Sequence, residues 1–217
     1  MFKPIILTFD DNAFNHYYNV FPLLKKYKMN ATYAYITSQV YSINDNNTEI
    51  IREMKDYGIE FASHTHTHID LMNTDTNKAI IDLNKSINIL ETHNFYNPGL
   101  ICPFNRINNN ITNNIKDKFK YIIHKSFSVN NFEGFINIKN ATKYNLIRLE
   151  FPTKDQTTED ILKFYNILYN LNDDDLPIIM FHNICDHKIN MQVDVNTFNN
   201  FLFFIKSNHF NTYTLNQ

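Results

Sequence analysis

The sequence predicts an α/β fold with parallel strands, arranged either as a layered sheet or as a barrel. Three observations predict it. Short apolar stretches rich in β-branched and aromatic residues alternate with longer stretches of helical periodicity, as in repeated strand–helix–strand units. The 217 residues contain no internal repeat and no linker-like segment, so a single domain, residues 1–217, is expected. Asp10, Asp11, His64, Cys102 and His182 each stand just past the C-terminal end of an expected strand. In a parallel barrel those ends converge on one face, where active sites are found.

Taken in order, residues 4–9 read as a buried strand, and 15–28 as a helix with Val20, Leu23, Leu24 and Tyr27 near helical spacing. Residues 31–36 are strand-like, 45–57 helical up to the stop at Gly58, and 59–62 form the strand that delivers the histidines. A helical stripe of Ala79, Ile80, Leu83, Ile87 and Leu90 marks 75–93, which Pro98-Gly99 closes. Residues 100–102 form a short strand before Pro103-Phe104-Asn105-Arg106, and 110–118 are helical. Residues 121–123 and 146–149 are strands around a poorly patterned segment. A helix over 157–171 opens on Thr157-Thr158-Glu159-Asp160, 177–181 is an apolar strand, and 198–206 belongs to a last helix.

Composition excludes several classes. A formal charge of -2 without any Lys/Arg run gives no footprint for nucleic acid. No apolar run reaches the length of a membrane span, and the first strand leaves no room for a signal peptide, so a cytoplasmic protein is expected. Cys102 and Cys185 lack metal-knuckle or redox spacing and read as buried thiols. Glycine occurs only 3 times while asparagine is abundant, so Asn is expected to serve in left-handed turns. The Asn-x-Thr triplets at Asn30, Asn46, Asn110 and Asn140 follow from that bias.

The chemistry concentrates in Ser63-His64-Thr65-His66-Thr67-His68, which holds three of the nine histidines. Imidazoles four residues apart fall on one side of a helical turn and can grip one ion. Asp10-Asp11, directly after the apolar run Ile5-Ile6-Leu7, adds two carboxylates that are costly to bury unless a cation compensates them. One divalent metal would satisfy both clusters. His66 is expected to be solvated or hydrogen-bonded rather than a ligand. His16, His93, His124, His187 and His209 have no partner at ligand spacing and read as surface or structural. Tyr33, Tyr35, Phe127 and Phe181 read as core before they read as a binding platform.

In that order, Thr8-Phe9-Asp10-Asp11, His64-Thr65-x-x-His68, Cys102-Pro103-Phe104 and Ile178-Ile179-Met180-Phe181-His182 resemble the motifs of the polysaccharide deacetylases, the NodB-homology group of carbohydrate esterase family 4. The resemblance extends over almost the whole chain, through Val193 and Phe198 to a closing strand at Tyr213-Thr214-Leu215. It implies a distorted (β/α) barrel of about seven parallel strands and metal-dependent removal of acyl groups from sugars. By position, Asp11, His64 and His68 would hold the metal, Asp10 would be the catalytic base and His182 the general acid. Pro103 and Phe104 would bring a backbone N–H to the oxyanion, and Thr65 would steady its neighbours. Zinc suits two imidazoles best; cobalt, nickel and iron also suit the set. The substrate would be an N-acetylated sugar, nucleotide sugar or glycan, with a soluble one favoured by the expected location.

The sequence departs from the family pattern in four places. Asn12 and Asn105 stand where glycines are usual, a change the left-handed region permits. Ile101 stands where many members carry an Arg that orients the catalytic Asp; Arg148, ahead of Arg106, could supply the guanidinium. The chain has no Trp, so the family's Asp-Trp support for the acid is absent and something else must orient His182. These departures leave two other readings open, a catalytically silent glycan-binding module and another carbon–nitrogen hydrolase such as a deformylase.

Overall fold

The computed structural model describes residues 3–11, 16–39, 46–96, 98–187 and 189–217. In chain order its strands are β1 (Lys3–Phe9), β2 (Thr32–Tyr35), β3 (Glu60–Ser63), β4 (Leu100–Ile101), β5 (Ile122–Ile123), β6 (Ser126–Phe127), β7 (Ile136–Asn137), β8 (Arg148–Glu150), β9 (Asp175–Leu176), β10 (Ile178–Phe181), β11 (Asn183–Ile184), β12 (Gln192–Val193) and β13 (Phe210–Tyr213). Nine form one parallel sheet in the order β5-β4-β3-β2-β1-β10-β8-β6, with β13 beside the first half of β1. Two small ribbons, β7–β9 and β11–β12, lie outside it.

The end strands of that path, β5 and β6, are separated only by His124 and Lys125. A sheet whose two edges are two residues apart must curl back on itself, so the expected barrel follows from connectivity. No ladder joins β5 to β6 among the described residues, which leaves the barrel open there. The strand count exceeds seven because β6 has no sequence pattern of its own and because the closing strand adds one. That strand lies at Phe210–Tyr213 rather than 213–215: it pairs Lys3↔Phe210 to Ile6↔Tyr213, while β2 takes Thr8 and Phe9 further along the same edge of β1.

The helices are α1 (Phe21–Tyr27), α2 (Asn46–Tyr57), α3 (Thr76–Thr92), α4 (Asn109–Ile115), α5 (Thr158–Tyr169) and α6 (Val195–Ser207). The helix expected over 15–28 is split, with a π-helical turn at His16–Val20 before α1. Pro22 explains the split, since it has no N–H to donate backward and its ring crowds the preceding turn. The first residues of the expected helices at 15 and 45 lie outside the described residues, as does Asn12. Asp75 caps α3 through Asn77 N–H and Lys78 N–H (3.0 and 3.1 Å). Thr157 and Asp160 form a reciprocal capping box on α5, and Asp194 caps α6, starting it three residues before the expected 198. Among the described residues no helix is long and apolar enough to cross a membrane.

Outside the barrel, Phe9 stacks on Phe181 (5.2 Å between ring centres) and meets Phe198 edge-on (5.7 Å), while Phe151 joins Phe181 to Phe164. Each such pair is worth about 0.5–1.5 kcal/mol beyond burial. Together they lock the ends of β1 and β10, from which Asp10 and His182 emerge. Tyr33, Phe127 and Phe181 are buried here, as core residues. Inside the barrel, Ala34, Ala62, Ile101, Tyr121 and Ile123 form a small apolar cluster. Gly99 admits the Tyr121 ring, because a Cβ there would lie 1.9 Å from it. The Tyr121 hydroxyl donates to buried Glu60, which also accepts from Thr32 and from the Asn216 N–H and so ties the C-terminal tail to the barrel floor.

His16 is structural, as one of its two expected readings had it: the ring is buried edge-on against Phe9 and Tyr33, both at 5.4 Å. Burial lowers its pKa from 6.5 to about 4. A histidine that stays neutral when folded stabilises fully above its unfolded pKa, and stability falls as pH drops from about 6.5 toward 4, by about 3 kcal/mol in total. His93 and His124, also lowered by burial, act in the same sense; Glu60, raised by burial, acts oppositely. Urea unfolding of the parent and His16→Gln at pH 7 and pH 4.5 isolates the His16 contribution. A smaller acid-induced loss in the variant is expected, and equal losses would contradict it.

Candidate metal centre and catalytic residues

β1 ends by releasing two adjacent carboxylates in different directions. In a continuing strand they would point to opposite faces, but Asp11 has φ 73 and turns its side chain to the barrel mouth. Asp10 is buried inside the barrel, its N–H bonded to the Phe181 carbonyl at 2.9 Å.

The histidines do not sit on a helical turn as their spacing suggests. Residues 64–68 form a loop in which Thr65 (φ 64) and His68 (φ 58) are left-handed, a conformation strained for a β-branched residue. The loop brings His64 Nε2 and His68 Nε2 to 3.3 and 3.2 Å from Asp11 Oδ1. What holds it is a carboxylate that the sequence reading passed over: Asp82 on α3 accepts from His66 N–H (2.6 Å), Thr67 N–H (3.3 Å) and the Thr67 hydroxyl (2.6 Å). Thr65 contributes by accepting the Ile69 N–H at 3.1 Å, and Ser63 by bonding Ser86 at 2.7 Å. Asp82 had a signal, being an acid within the buried face Ala79, Leu83, Ser86 and Leu90. Asp82→Ala should weaken metal binding about 10- to 100-fold, measured by chelator competition. Unchanged affinity would mean the loop holds itself.

The donor set fits a divalent cation. His64 Nδ1 lies 2.7 Å from the Ile101 carbonyl, which can only accept, so Nδ1 carries the proton and Nε2 presents a lone pair. That lone pair faces Asp11 Oδ1, a buried oxygen with no hydrogen-bond donor. Two acceptors face each other across 3.3 Å, an arrangement a cation between them relieves. The three ligand atoms of Asp11, His64 and His68 lie within 4.8 Å of one another.

Asp10 is paired with Arg148. Arg148, fully buried, donates Nη1 to Asp10 Oδ1 at 2.7 Å and Nη2 to Asn105 Oδ1 at 2.6 Å. Burial pushes the Asp10 pKa up, but the charge and hydrogen bond of Arg148 carry it below the ordinary value. Ile101, where the family often has arginine, packs in the apolar cluster of the barrel, and the guanidinium enters from β8 instead. Arg106, the other candidate, does not reach Asp10; it grips Asp70 with two hydrogen bonds at 3.1 and 2.6 Å. The turn after Pro103 is left-handed at both Phe104 (φ 57) and Asn105 (φ 51), as expected of Asn in a glycine position. Phe104 remains 56% exposed with its ring 4.8 Å from that of His68, beside the candidate ligands.

His182 follows β10 at the same mouth and is half-buried, next to a cavity of about 100 Å³ that Glu150, Met180 and Met191 also line. His66 is directed to Thr37 Oγ1 at 3.1 Å, away from the three ligands. Both cysteines are free and buried.

A family model described as polysaccharide deacetylase matches residues 2–122. The poly-beta-1,6-N-acetyl-D-glucosamine N-deacetylase of Staphylococcus aureus is 36% identical over 107 residues, covering 43% of this chain and 37% of that protein's own length. Among solved structures, a family 4 acetyl xylan esterase from Clostridium thermocellum in complex with cobalt aligns over 99% of this chain and 89% of its own, at 17% identity and TM-score 0.65. Peptidoglycan deacetylase PdaC from Bacillus subtilis aligns over 100% and 89%, at 18% identity and TM-score 0.68. These two likenesses concern the fold, which is the curled parallel sheet described above. With more than half of its length matched by the family model, the chain belongs to the polysaccharide deacetylase family.

Proposed function

We propose that this chain is a metal-dependent carbohydrate N-deacetylase that releases acetate from an acetamido sugar. The observation that carries the reading is the donorless Asp11 Oδ1 facing the His64 lone pair, beside an Asp10 held ionised by Arg148. A divalent cation held by Asp11, His64 and His68 would supply Lewis-acid activation of water and of the acyl oxygen. Zinc is the first choice for two imidazoles and a carboxylate, with cobalt, nickel and iron the alternatives. Asp10 takes the proton of the attacking water. Its pairing with Arg148 lowers its basicity but keeps it charged and fixed in direction. The Phe104 backbone N–H donates to the developing oxyanion. His182 gives a proton to the departing amine, leaving a free amino sugar and acetate.

The Staphylococcus aureus relative is named for an acetylated glucosamine polymer. That favours a glycan over a nucleotide sugar, and exposed Phe104 offers a ring face for it. The test is acetate release from N-acetylated mono- and oligosaccharides by metal-loaded and chelated protein. Release that chelation abolishes and metal restores is expected. Tight metal binding without release from any acetylated substrate would overturn the reading and turn attention to formyl groups.

A further inference from the structure

The chain has no Trp, so the Asp-Trp support that the resemblance would place behind His182 is absent, and the structure offers a different one. The residues after it form β11, which has two hydrogen-bonding edges. On one edge β12 pairs in parallel, and the N–H groups of Asn183 and Cys185 bond to the carbonyls of Met191 (3.4 Å) and Val193 (3.0 Å). The carbonyls of His182 and Ile184 point to the opposite edge, where no strand lies among the described residues. Two side chains of the π-helical turn take that place. His16 Nε2 bonds the His182 carbonyl, and Asn19 Nδ2 donates to the Ile184 carbonyl at 2.8 Å. Three positions apart on one turn, they match two carbonyls two residues apart on an extended strand.

The chemistry of this contact is one-directional. A carbonyl only accepts, so His16 must carry its proton on Nε2, which leaves Nδ1 bare; Nδ1 is indeed buried with no partner. The ring is held between Phe9 and Tyr33, and Phe9, the last residue of β1, directly precedes Asp10. The clamp therefore ties the backbone of His182 to the end of the strand that the other proton-handling residue follows.

We propose that His16 and Asn19 are positioning residues for His182, acting as a side-chain substitute for a neighbouring strand. The inference rests on the reading of His182 as proton donor to the leaving amine. His16→Leu and Asn19→Leu remove the donors, while His16→Gln keeps an N–H at the same reach. The leucine variants should lower kcat for the acetamido sugar about 10- to 100-fold with KM and metal content unchanged. They should leave hydrolysis of an aryl acetate, whose leaving group needs no proton, within twofold of the parent, and His16→Gln should recover most of the loss. Equal losses on amide and aryl ester, or no loss on either, would overturn the proposal.

A second readout does not depend on activity. In imidazole nitrogen NMR, the His182 signals should broaden or split in His16→Leu while those of His64 and His68 stay put. An unchanged His182 spectrum overturns the clamp whether or not the protein proves to be a deacetylase. Absence of acetate release from the parent bears only on the deacetylase reading.

Discussion

Arg148→Met is expected to cost about 3–5 kcal/mol of folding stability, because it strands the Asp10 carboxylate inside the barrel without a counter-charge. Nothing exposed softens that penalty: the two side chains are 0% and 3% exposed, so water does not screen the pair. The same change frees Asn105 from its 2.6 Å contact and loosens the left-handed turn behind Phe104. Asp10, no longer held below its ordinary pKa, gains a proton more readily, and activity falls with it. The double variant Arg148→Met/Asp10→Asn removes both charges and should regain a large part of the stability but none of the turnover. Denaturant unfolding of the two single variants, the double and the parent gives the coupling between the residues. A single Arg148→Met variant within 1 kcal/mol of the parent would show that the pair contributes little to the fold.

That pair also marks how far sequence reasoning reaches. The barrel was legible because alternating apolar strands and amphipathic helices admit few arrangements, and the site because Asp10, Asp11, His64 and His182 all follow strand ends. Arg148 was legible only as one of two arginines, since a contact across 138 positions depends on which walls of the barrel face each other. The histidine loop was misread: a four-residue spacing suits a helix, but the capping of residues 66 and 67 by Asp82 bends the chain into left-handed turns that bring the same two rings together. The π-helical turn at His16 was hidden because periodicity in 15–28 is helical throughout; Pro22 was its only visible cause. The two-residue β6 has no period to detect and is placed by its pairing to β8.

Asp10→Asn and Asp11→Asn, neighbours in sequence, should fail in different ways. Asp10→Asn keeps an oxygen for the Arg148 guanidinium and leaves Asp11, His64 and His68 untouched, so metal should bind at parental stoichiometry. Without a carboxylate to take the proton of water, kcat should fall by about 10² to 10⁴. Asp11→Asn, His64→Ala or His68→Ala instead breaks the donor set, and these variants should lose metal and activity together. Metal content after dialysis, read beside turnover on the same samples, separates the two outcomes. Should Asp10→Asn turn over at the parental rate with metal in place, the proton must go elsewhere, and a pairing as close as that of Asp10 with Arg148 would then serve the fold alone. Should it lose metal as well, Asp10 belongs to the binding set, and the direction imposed on it by Arg148 would be toward the ion rather than toward water.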